Sequence, residues 1–315
     1  MDSGTLTARL ADVFACPSCG TQESREDEGV LVCGRGHRFP VVDGIPRFVA
    51  TLPEDVRQVQ RVFDFEHRRY QDSSYTRFGP DLVEQFLDDC RLPRDAFEGK
   101  RTLDAGCGSG RWTYALAELG AEVTGVDLTS GGIETAVAEL GERPNVTFAQ
   151  ADLFGLPLRR DAFDFVLSWG VLHHTPDTRA AFDRLIPLVK PGGTLYVMVY
   201  EREGRLMHLG TEVVRRLLRR LPDDRRYRAC RLLVLRRRAL YRALIPLVMV
   251  SYAGPGSDVD VKTAQFGLFD AYSPRYNHLH THEEVTGWFW EHGFEDVVVV
   301  PAAGRAVKVR GIRAG

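Results

Sequence analysis

The chain has 315 residues, of which 44% are hydrophobic and 27% are charged. This length exceeds that of one small domain and suits one large domain with an appendage, whose core needs no disulfides. The longest uncharged apolar stretch, residues 243–257, is interrupted by prolines and glycines and is too short to cross a bilayer.

The net charge of −2 is unevenly distributed along the chain. Residues 202–242 contain fourteen arginines, no lysine and four acidic residues, which gives this segment a charge of +10 and the remainder −12. Because the start of the chain lacks the basic and long apolar regions of a secretory signal, we expect the protein in the reducing cytoplasm. In that compartment, clustered cysteines are interpreted first as metal ligands.

Residues 1–50 are predicted to form a small zinc ribbon. Cys16, Cys19, Cys33 and His37 follow the spacing C-x2-C-x13-C-x3-H, beside short β-like runs at 30–32 and 38–42. Four such ligands on two turns suit tetrahedral zinc in a closed structural site. So small a core would fold poorly without a metal. A ribbon that no longer binds zinc, or a set of free thiols, is the alternative.

Residues 51–98 are predicted to form a helical linker or cap. Apolar residues recur at helical spacing around 56–70 and 81–92, and Pro80 and Asp81 are typical of the start of the second helix.

From residue 99 onward the pattern alternates between strand and helix. This alternation indicates right-handed βαβ units and a parallel sheet covered on both faces. After a helix that begins at Thr281, two strands joined by a turn at 302–304 predict a hairpin. We therefore predict a doubly wound, seven-stranded α/β domain formed by residues 99–200 and 263–315. The helix over 178–190 is expected to end at Pro191-Gly192-Gly193.

A glycine loop follows the first strand of this domain. Gly106, Gly108 and Gly110 lie between that strand and the next helix, where a turn without Cβ atoms lets the backbone approach a ligand closely. A tight turn without a ligand has the same spacing, so the loop alone is weak evidence. Asp127 ends the second strand, where a carboxylate can accept both hydroxyls of a ribose, and Asp152 ends the third.

The same region favours a ligand with an amino acid end and an adenosine end over a dinucleotide. The third glycine comes one residue earlier than in G-x-G-x-x-G, and Trp112 stands at the start of the helix. Asp104, directly before the loop, would repel a phosphate but suits an ammonium group.

The segments LDAGCGSGRWT, GVDLT, QADLFGLP and FDFVLSWGVLHH resemble the successive motifs of class I S-adenosylmethionine-dependent methyltransferases. The resemblance implies that Asp104 and the glycines hold the methionine part of the cofactor and that Asp127 holds the ribose. It also implies that Leu128 flanks the adenine and that Asp152 faces the adenine amino group. The cofactor-binding residues it implies are Asp104, Gly106, Cys107, Gly108, Gly110, Asp127, Leu128, Asp152, Leu153, Ser168 and Trp169.

Catalytic residues are harder to identify, because a methyl transfer needs a general base only where the nucleophile has a proton to lose. His173 and His174 are candidates, since the segment SWGVLHH would line the transfer site. Tyr272 and His278 belong to a second group, with Tyr276, His280 and His282, that could reach the pocket from a lid. The alternatives for these side chains are simple packing, solvation or metal binding.

SWGVLHH stands where enzymes that methylate the amines of nucleic-acid bases often carry N/D-P-P-Y/F. It resembles small-molecule methyltransferases of the ubiquinone-biosynthesis type instead. The ribbon, in contrast, resembles the small zinc-ribbon proteins that partner tRNA and protein methyltransferases, especially in FPVVDGIPRF. Its ligand spacing also resembles the zinc finger of rRNA guanine-N1 methyltransferases. In such ribbons the zinc is structural, which implies docking, substrate recognition or packing against the catalytic domain.

Residues 201–262 are predicted to form a basic helical insertion that serves as a lid. In one interpretation, leucines of amphipathic helices cover the active site while arginines face water. In a second, the arginines recognise an anionic or carrier-bound substrate. In a third, they contact RNA or a membrane surface.

We predict an enzyme that transfers a methyl group from S-adenosylmethionine to a small molecule. An rRNA or tRNA methyltransferase is the first alternative, favoured by the ribbon and opposed by SWGVLHH. A cofactor-binding scaffold, or an enzyme that uses the cofactor for another reaction, is the second.

Overall fold

The computed structural model describes residues 4–49, 51–69, 78–202, 205–240, 261–302 and 305–315. Its N-terminal unit begins with helix α1 (Gly4–Ala11), which the sequence pattern does not predict. Four short strands follow and pair antiparallel in chain order. They are β1 (Ser24–Asp27), β2 (Val30–Cys33), β3 (Arg38–Val42) and β4 (Ile45–Pro46).

Seven further strands form the main sheet. They are β5 (Arg101–Ala105), β6 (Glu122–Asp127), β7 (Val146–Gln150), β8 (Phe163–Trp169), β9 (Val189–Tyr200), β10 (Phe294–Val299) and β11 (Ala306–Arg313). Their order across the sheet is β10-β11-β9-β8-β5-β6-β7. Strands β5 to β9 are parallel, and β11 is antiparallel to both of its neighbours. The predicted seven-stranded α/β sheet with a C-terminal hairpin is confirmed. The strand order reverses between β5 and β8, which is where open α/β sheets bind ligands.

Helices pack against the strands of this sheet and contribute to its two buried apolar clusters. Thr281 is the N-cap of α10, as predicted, and forms a reciprocal capping box with Glu284. The helices are α2 (Glu54–Arg69), α3 (Pro80–Cys90), α4 (Arg111–Glu118), α5 (Ser130–Leu140), α6 (Thr178–Leu185), α7 (Arg205–Leu218), α8 (Asp223–Leu240), α9 (Val261–Tyr272) and α10 (His282–Glu291). Among the described residues, no helix is both long and apolar enough to cross a membrane.

The predicted end of the helix before β9 is wrong. Helix α6 ends at Leu185, a single 3-10 turn follows, and β9 begins at Val189, so that Pro191 and the two glycines after it lie inside the strand. Pro187 explains the early end, because a proline has no N–H to continue the helical hydrogen bonds. Strand β9 pairs with β8 from its first residue, because Val189 is paired with Phe163.

The basic insertion consists of helices that pack around an apolar cluster shared with α2. Residues 241–260, including the apolar stretch 243–257, lie outside the described part of the chain. The expected boundary at residue 262 falls inside α9. Two arginines of the insertion are buried: Arg215 donates to the carbonyl oxygens of Ala271 and Pro274, and Arg226 donates to that of Leu221 at 2.9 Å. These arginines connect the helices to one another, whereas others face solvent, namely Arg216, Arg220, Arg225, Arg228 and Arg231.

The N-terminal unit shares its core with the main sheet. Phe14 forms an isolated β-bridge with Leu158, and the Arg159 side chain donates to the carbonyl oxygens of Ala11 and Phe14 at 2.9 and 3.0 Å. The amide of Phe48 donates to the carbonyl oxygen of Gln150, the last residue of β7, at 2.7 Å. Apolar side chains from α1, β2 and the sheet belong to one buried cluster. The unit is therefore an integral part of the molecule.

Candidate functional site

A cavity of about 480 Å³ opens at the carboxyl ends of β5 to β8 and is closed from the other side by α2 and α9. The cavity extends from the strand tips to β9, and its wall is mostly apolar. Ten of the predicted site residues line it: Asp104, Gly106, Cys107, Gly108, Asp127, Leu128, Asp152, Leu153, Trp169 and His174.

The glycine loop takes its shape from positive φ angles. Gly106 has φ +88°, and a Cβ there would lie 2.3 Å from Cγ2 of Val171. Gly108 has φ +52°, and a Cβ there would lie 2.7 Å from Cε1 of His67. Both positions require glycine, so the loop passes closely under the side chains that form the cavity wall. Gly110 has φ +88°, precedes α4 and lies outside the cavity lining.

Replacing Gly106 with alanine is expected to lower the free energy of unfolding by about 3 kcal/mol. The left-handed backbone costs an alanine about 1–2 kcal/mol, and displacing the Val171 side chain adds about 1–3 kcal/mol. Denaturant unfolding measures the change. Gly155→Ala is the control, because a Cβ at Gly155 meets nothing within 4 Å. Equal unfolding midpoints for the two variants would contradict this account.

Asp104 is a buried carboxyl group beside the loop. Thr113 Oγ1 donates to its Oδ2 at 2.7 Å. Burial is the main reason why the pKa of Asp104 rises to about 7, and the nearby charge of Asp127 adds to the shift. No ion pair to Asp104 occurs within the described ranges, so a cation from a ligand would find an uncompensated carboxyl group there.

Asp127 lies at the tip of β6 and organises the turn around it. Its Oδ2 accepts from the Gly108 amide at 2.9 Å, and its Oδ1 accepts from the Thr129 amide and hydroxyl at 2.8 and 2.6 Å. The carbonyl oxygen of Leu128 accepts from the side-chain amides of Gln60 and Gln150 at 3.0 and 2.8 Å. The turn is thus held from both sides with the carboxylate at the cavity.

The third strand tip is arranged differently. Asp152 Oδ1 accepts from the amide of Phe154 at 3.1 Å and so caps the single helical turn that begins at Leu153. Asp152 is half-buried and lines the cavity together with Leu153. The carboxylates of three consecutive strands therefore border one space.

Three other predicted site residues, Ser168, Tyr272 and His278, do not line the cavity. Ser168 is buried, and its hydroxyl donates to the carbonyl oxygen of Ala105 at 2.9 Å, which ties β8 to β5. Tyr272 belongs to the apolar cluster of the insertion. His278 Nε2 lies 3.1 Å from the carbonyl oxygen of Thr175. Ser168 and Tyr272 are buried and His278 is half-buried, and each has a structural contact in this position.

The two adjacent histidines differ in access to the cavity. The His173 ring is fully buried with its centroid 3.8 Å from that of Tyr200, and burial lowers the pKa of His173 well below its usual value. His174 lines the cavity, and its Nδ1 lies 3.0 Å from the carbonyl oxygen of Tyr276. Of this pair, only His174 is positioned to act on a bound molecule.

Sequence reasoning missed two acidic residues on the cavity wall, Glu66 of α2 and Asp270 of α9. Glu66 occupies the same helix face as the buried Val59 and Val62. An acidic residue at an apolar helix position was the available signal. Asp270 had no comparable signal, because α9 was not predicted as a helix.

The four N-terminal metal-ligand candidates lie together in the structure, away from this cavity. The ligand atoms of Cys16, Cys19, Cys33 and His37 all lie within 4.8 Å of one another. Cys33 Sγ is 3.8 Å from Cys19 Sγ and 3.4 Å from His37 Nδ1. Two short turns thus bring three sulfur atoms and one imidazole nitrogen to a common point, a donor set that suits zinc.

Comparison with known proteins agrees with this architecture. Residues 103–197 match a family described as a methyltransferase domain. A ubiquinone biosynthesis O-methyltransferase of Albidiferax ferrireducens is 33% identical over 39% of this chain and 51% of the relative. A protein of the same name from Aromatoleum aromaticum is 29% identical over 54% of this chain and 74% of the relative. The match thus spans about half of the first relative's length and about three quarters of the second's.

One solved structure shares the fold over most of the chain. Human N-acetylserotonin methyltransferase in complex with S-adenosylmethionine aligns with a TM-score of 0.50 and 15% identity, covering 84% of this chain and 61% of that chain. The fold is therefore that of the class I methyltransferases.

Proposed function

We propose that the protein transfers a methyl group from S-adenosylmethionine to a small-molecule acceptor. The observation that carries the proposal is the cavity itself, in which a glycine loop and the carboxylates of three consecutive strand tips adjoin an apolar space. Its volume of about 480 Å³ suits a drug-sized ligand. The O-methyltransferase relatives, similar across the same region, support the reaction class.

The residues present fit this cofactor. The ammonium group of its methionine part would supply the cation that buried Asp104 lacks within the described chain. Asp127 would accept the ribose hydroxyls, while Leu128 and Asp152 would border the adenine. When bound, the cofactor supplies an electrophilic methyl group, so the protein has to orient the acceptor and exclude water. Helix α2 and the half-buried aromatic residues of the cavity wall exclude water.

Binding of S-adenosylhomocysteine is expected to release a proton at about pH 6. Because the pKa of Asp104 in the empty protein is about 7, this carboxyl group is mostly protonated at that pH, and an ammonium partner favours its ionised form. The affinity should therefore rise as the pH increases toward 7 and level off above it. Calorimetry in two buffers of different ionisation enthalpy measures the released proton.

The Asp104→Asn variant is the matched test of that assignment, since an amide has no proton to release. Its binding heat should be the same in both buffers, and its affinity should be lower than that of the wild type. Buffer-independent heat for the wild-type protein at about pH 6 would refute the role of Asp104.

We propose further that Cys16, Cys19, Cys33 and His37 hold a structural zinc ion within a zinc ribbon of residues 1–50. The convergence of their ligand atoms and the core shared with the sheet support this role. Residues 51–98 then form the helical cap, 99–200 and 263–315 the cofactor-binding domain, and 201–262 the lid. The contribution of Val234, in α8, to the cavity wall supports the lid.

The buried arginines of the insertion support the first of the three interpretations of its charge. Arg215 and Arg226 donate hydrogen bonds to backbone carbonyl groups. Apolar side chains of the insertion pack against α2. The insertion therefore contributes an apolar side chain, Val234, to the cavity wall, whereas none of its described arginines lines the cavity.

A further inference from the structure

The cavity wall formed by α2, β9 and α9 carries two carboxyl groups that the cofactor-binding residues leave unused. Glu66 and Asp270 line the same cavity as Asp104 and Asp127. The Asp270 side chain is 14% exposed and is thus accessible from the cavity, whereas Glu66 is 2% exposed. Both carboxyl groups border the apolar space, and Asp270 is the less buried of the two.

Two side chains hold Asp270 in position. The Tyr200 hydroxyl donates to its Oδ2, and His174 Nε2 faces its Oδ1 at 3.5 Å. A carbonyl oxygen can only accept, so the contact between His174 Nδ1 and the carbonyl of Tyr276 places the ring hydrogen on Nδ1. In the neutral ring, Nε2 then presents a lone pair to the carboxylate.

Neutral His174 is the expected form near pH 7. Burial is the main cause that lowers the pKa of His174, and the charge of Asp270 only partly opposes it. A lone pair and a carboxylate oxygen that face each other repel. Protonation of Asp270 removes this repulsion. The contact with His174 therefore favours proton uptake by Asp270, as a general base requires.

Glu66 has the opposite character. Its Oε2 has no hydrogen-bond partner in the described part of the chain. Burial and then the charge of Asp270 raise the pKa of Glu66 well above its usual value, which favours the neutral carboxyl group, the form that can donate. The pair thus divides into one donor and one proton acceptor, as neighbouring carboxyl groups in different environments do.

We propose that this wall is the acceptor subsite, that it takes an uncharged alcohol or phenol, and that Asp270 receives the hydroxyl proton. The inference rests on the proposed methyl transfer and names its acceptor class. An anion would be repelled by Asp270. An amine would be held there as an ammonium ion, which has no lone pair for the attack. The apolar skeleton would lie against Phe63, Met198 and Phe266.

The transfer step balances with these groups alone. The acceptor oxygen forms a bond to the methyl carbon while its O–H bond breaks and the proton passes to Asp270. The carbon–sulfur bond breaks with its electron pair on sulfur, so the sulfonium becomes a neutral thioether and the carboxylate becomes a neutral acid. Asp270 returns the proton to water after the product leaves. Tyr200 and His174 act as positioning residues.

Ligand preference tests the acceptor class without turnover. Calorimetry on protein saturated with S-adenosylhomocysteine compares 2-naphthol with 2-naphthoate, which share the naphthalene ring system. We expect 2-naphthol to bind at least about tenfold more tightly than 2-naphthoate. Asp270→Asn should reduce this preference because it removes the charge that repels the carboxylate, whereas Glu139→Gln, at an exposed position of α5, should preserve it. Equal or tighter binding of 2-naphthoate overturns the inference.

Product formation tests the role of Asp270. With 2-naphthol and S-adenosylmethionine, mass spectrometry should detect the methyl ether, and Asp270→Asn should lower kcat at least about 100-fold. Its affinity for S-adenosylhomocysteine should stay within about twofold of the wild type. Tyr200→Phe should lower kcat while the KM for 2-naphthol is retained.

The outcomes separate the two proposals. A bound hydroxyl probe that yields no methyl ether, or an unchanged kcat in Asp270→Asn, overturns the base assignment while the cofactor site stands. If the wild-type protein does not bind S-adenosylhomocysteine at all, the proposed function itself fails.

Discussion

Replacing Asp127 with alanine is expected to weaken the binding of S-adenosylhomocysteine by about 1000-fold. Two ribose hydroxyls would donate to this carboxylate, and a hydrogen bond to a charged group contributes about 1.5–3 kcal/mol. Two such bonds therefore account for about 4 kcal/mol, which corresponds to that change in Kd. The variant also leaves the Gly108 amide without its acceptor, which loosens the loop.

Titration calorimetry on the metal-replete protein measures this loss. Asp95→Ala is the matched control, because Asp95 is an exposed aspartate outside the cavity lining. Thermal unfolding of both variants distinguishes a lost ligand contact from a general loss of structure. An Asp127→Ala variant that binds like the wild type would remove the basis for a cofactor site at the strand tips.

Removing the metal, or replacing Cys33 with alanine, is expected to unfold the N-terminal unit and lower the Tm of the whole chain by at least about 10 °C. Zinc contributes about 10–16 kcal/mol in isolated zinc-finger peptides. The ribbon shares one apolar cluster with the sheet, so its unfolding exposes part of that core. For a chain of 315 residues, a shift of about 10 °C corresponds to a net loss of about 7 kcal/mol, which is less than the contribution of the metal in those peptides.

Removing the metal, or replacing Cys33 with alanine, should also weaken S-adenosylhomocysteine binding by about tenfold. Arg47, directly after β4, donates to Gln150 Oε1 at 3.1 Å, and Gln150 Nε2 donates to the carbonyl oxygen of Leu128 at 2.8 Å. The N-terminal unit is thus connected to the turn that borders the proposed cofactor site.

Metal analysis, scanning calorimetry and limited proteolysis before and after chelation provide the measurements. Cys90→Ala is the control, because Cys90 is a buried cysteine outside the metal-ligand group. One equivalent of zinc is expected in the wild type and in Cys90→Ala, and none in Cys33→Ala. A chelated protein with an unchanged Tm would contradict a structural metal.

The main sheet could be predicted from sequence because its signals are local. Glycines and acidic residues at strand ends reveal where β5 and β6 stop, and the capping residues of α10 are adjacent in the chain. Pro187 was also visible, but its effect on α6 was misjudged because the following Pro191-Gly192-Gly193 is the stronger turn signal.

The side of the cavity that we propose for the acceptor depends on contacts between distant segments. Asp270, Tyr200 and His174 come from three different elements, and no spacing in the sequence connects them. His173 and His174 are neighbours with equal signals, and only packing distinguishes the buried ring from the one at the cavity. Helix α9 escaped prediction because its apolar and polar residues lack a pronounced one-sided pattern.

The core shared by the ribbon and the sheet imposes an order of events on a growing chain. All four metal ligands have been synthesised once residue 37 is made, but the Arg159 side chain that holds Phe14 follows 145 residues after it. If zinc binds as proposed, metal capture is an early, local step, and docking of the ribbon is a late one. In a cell short of zinc, ribosomes would then complete chains whose N-terminal unit is unfolded and cannot dock on the sheet.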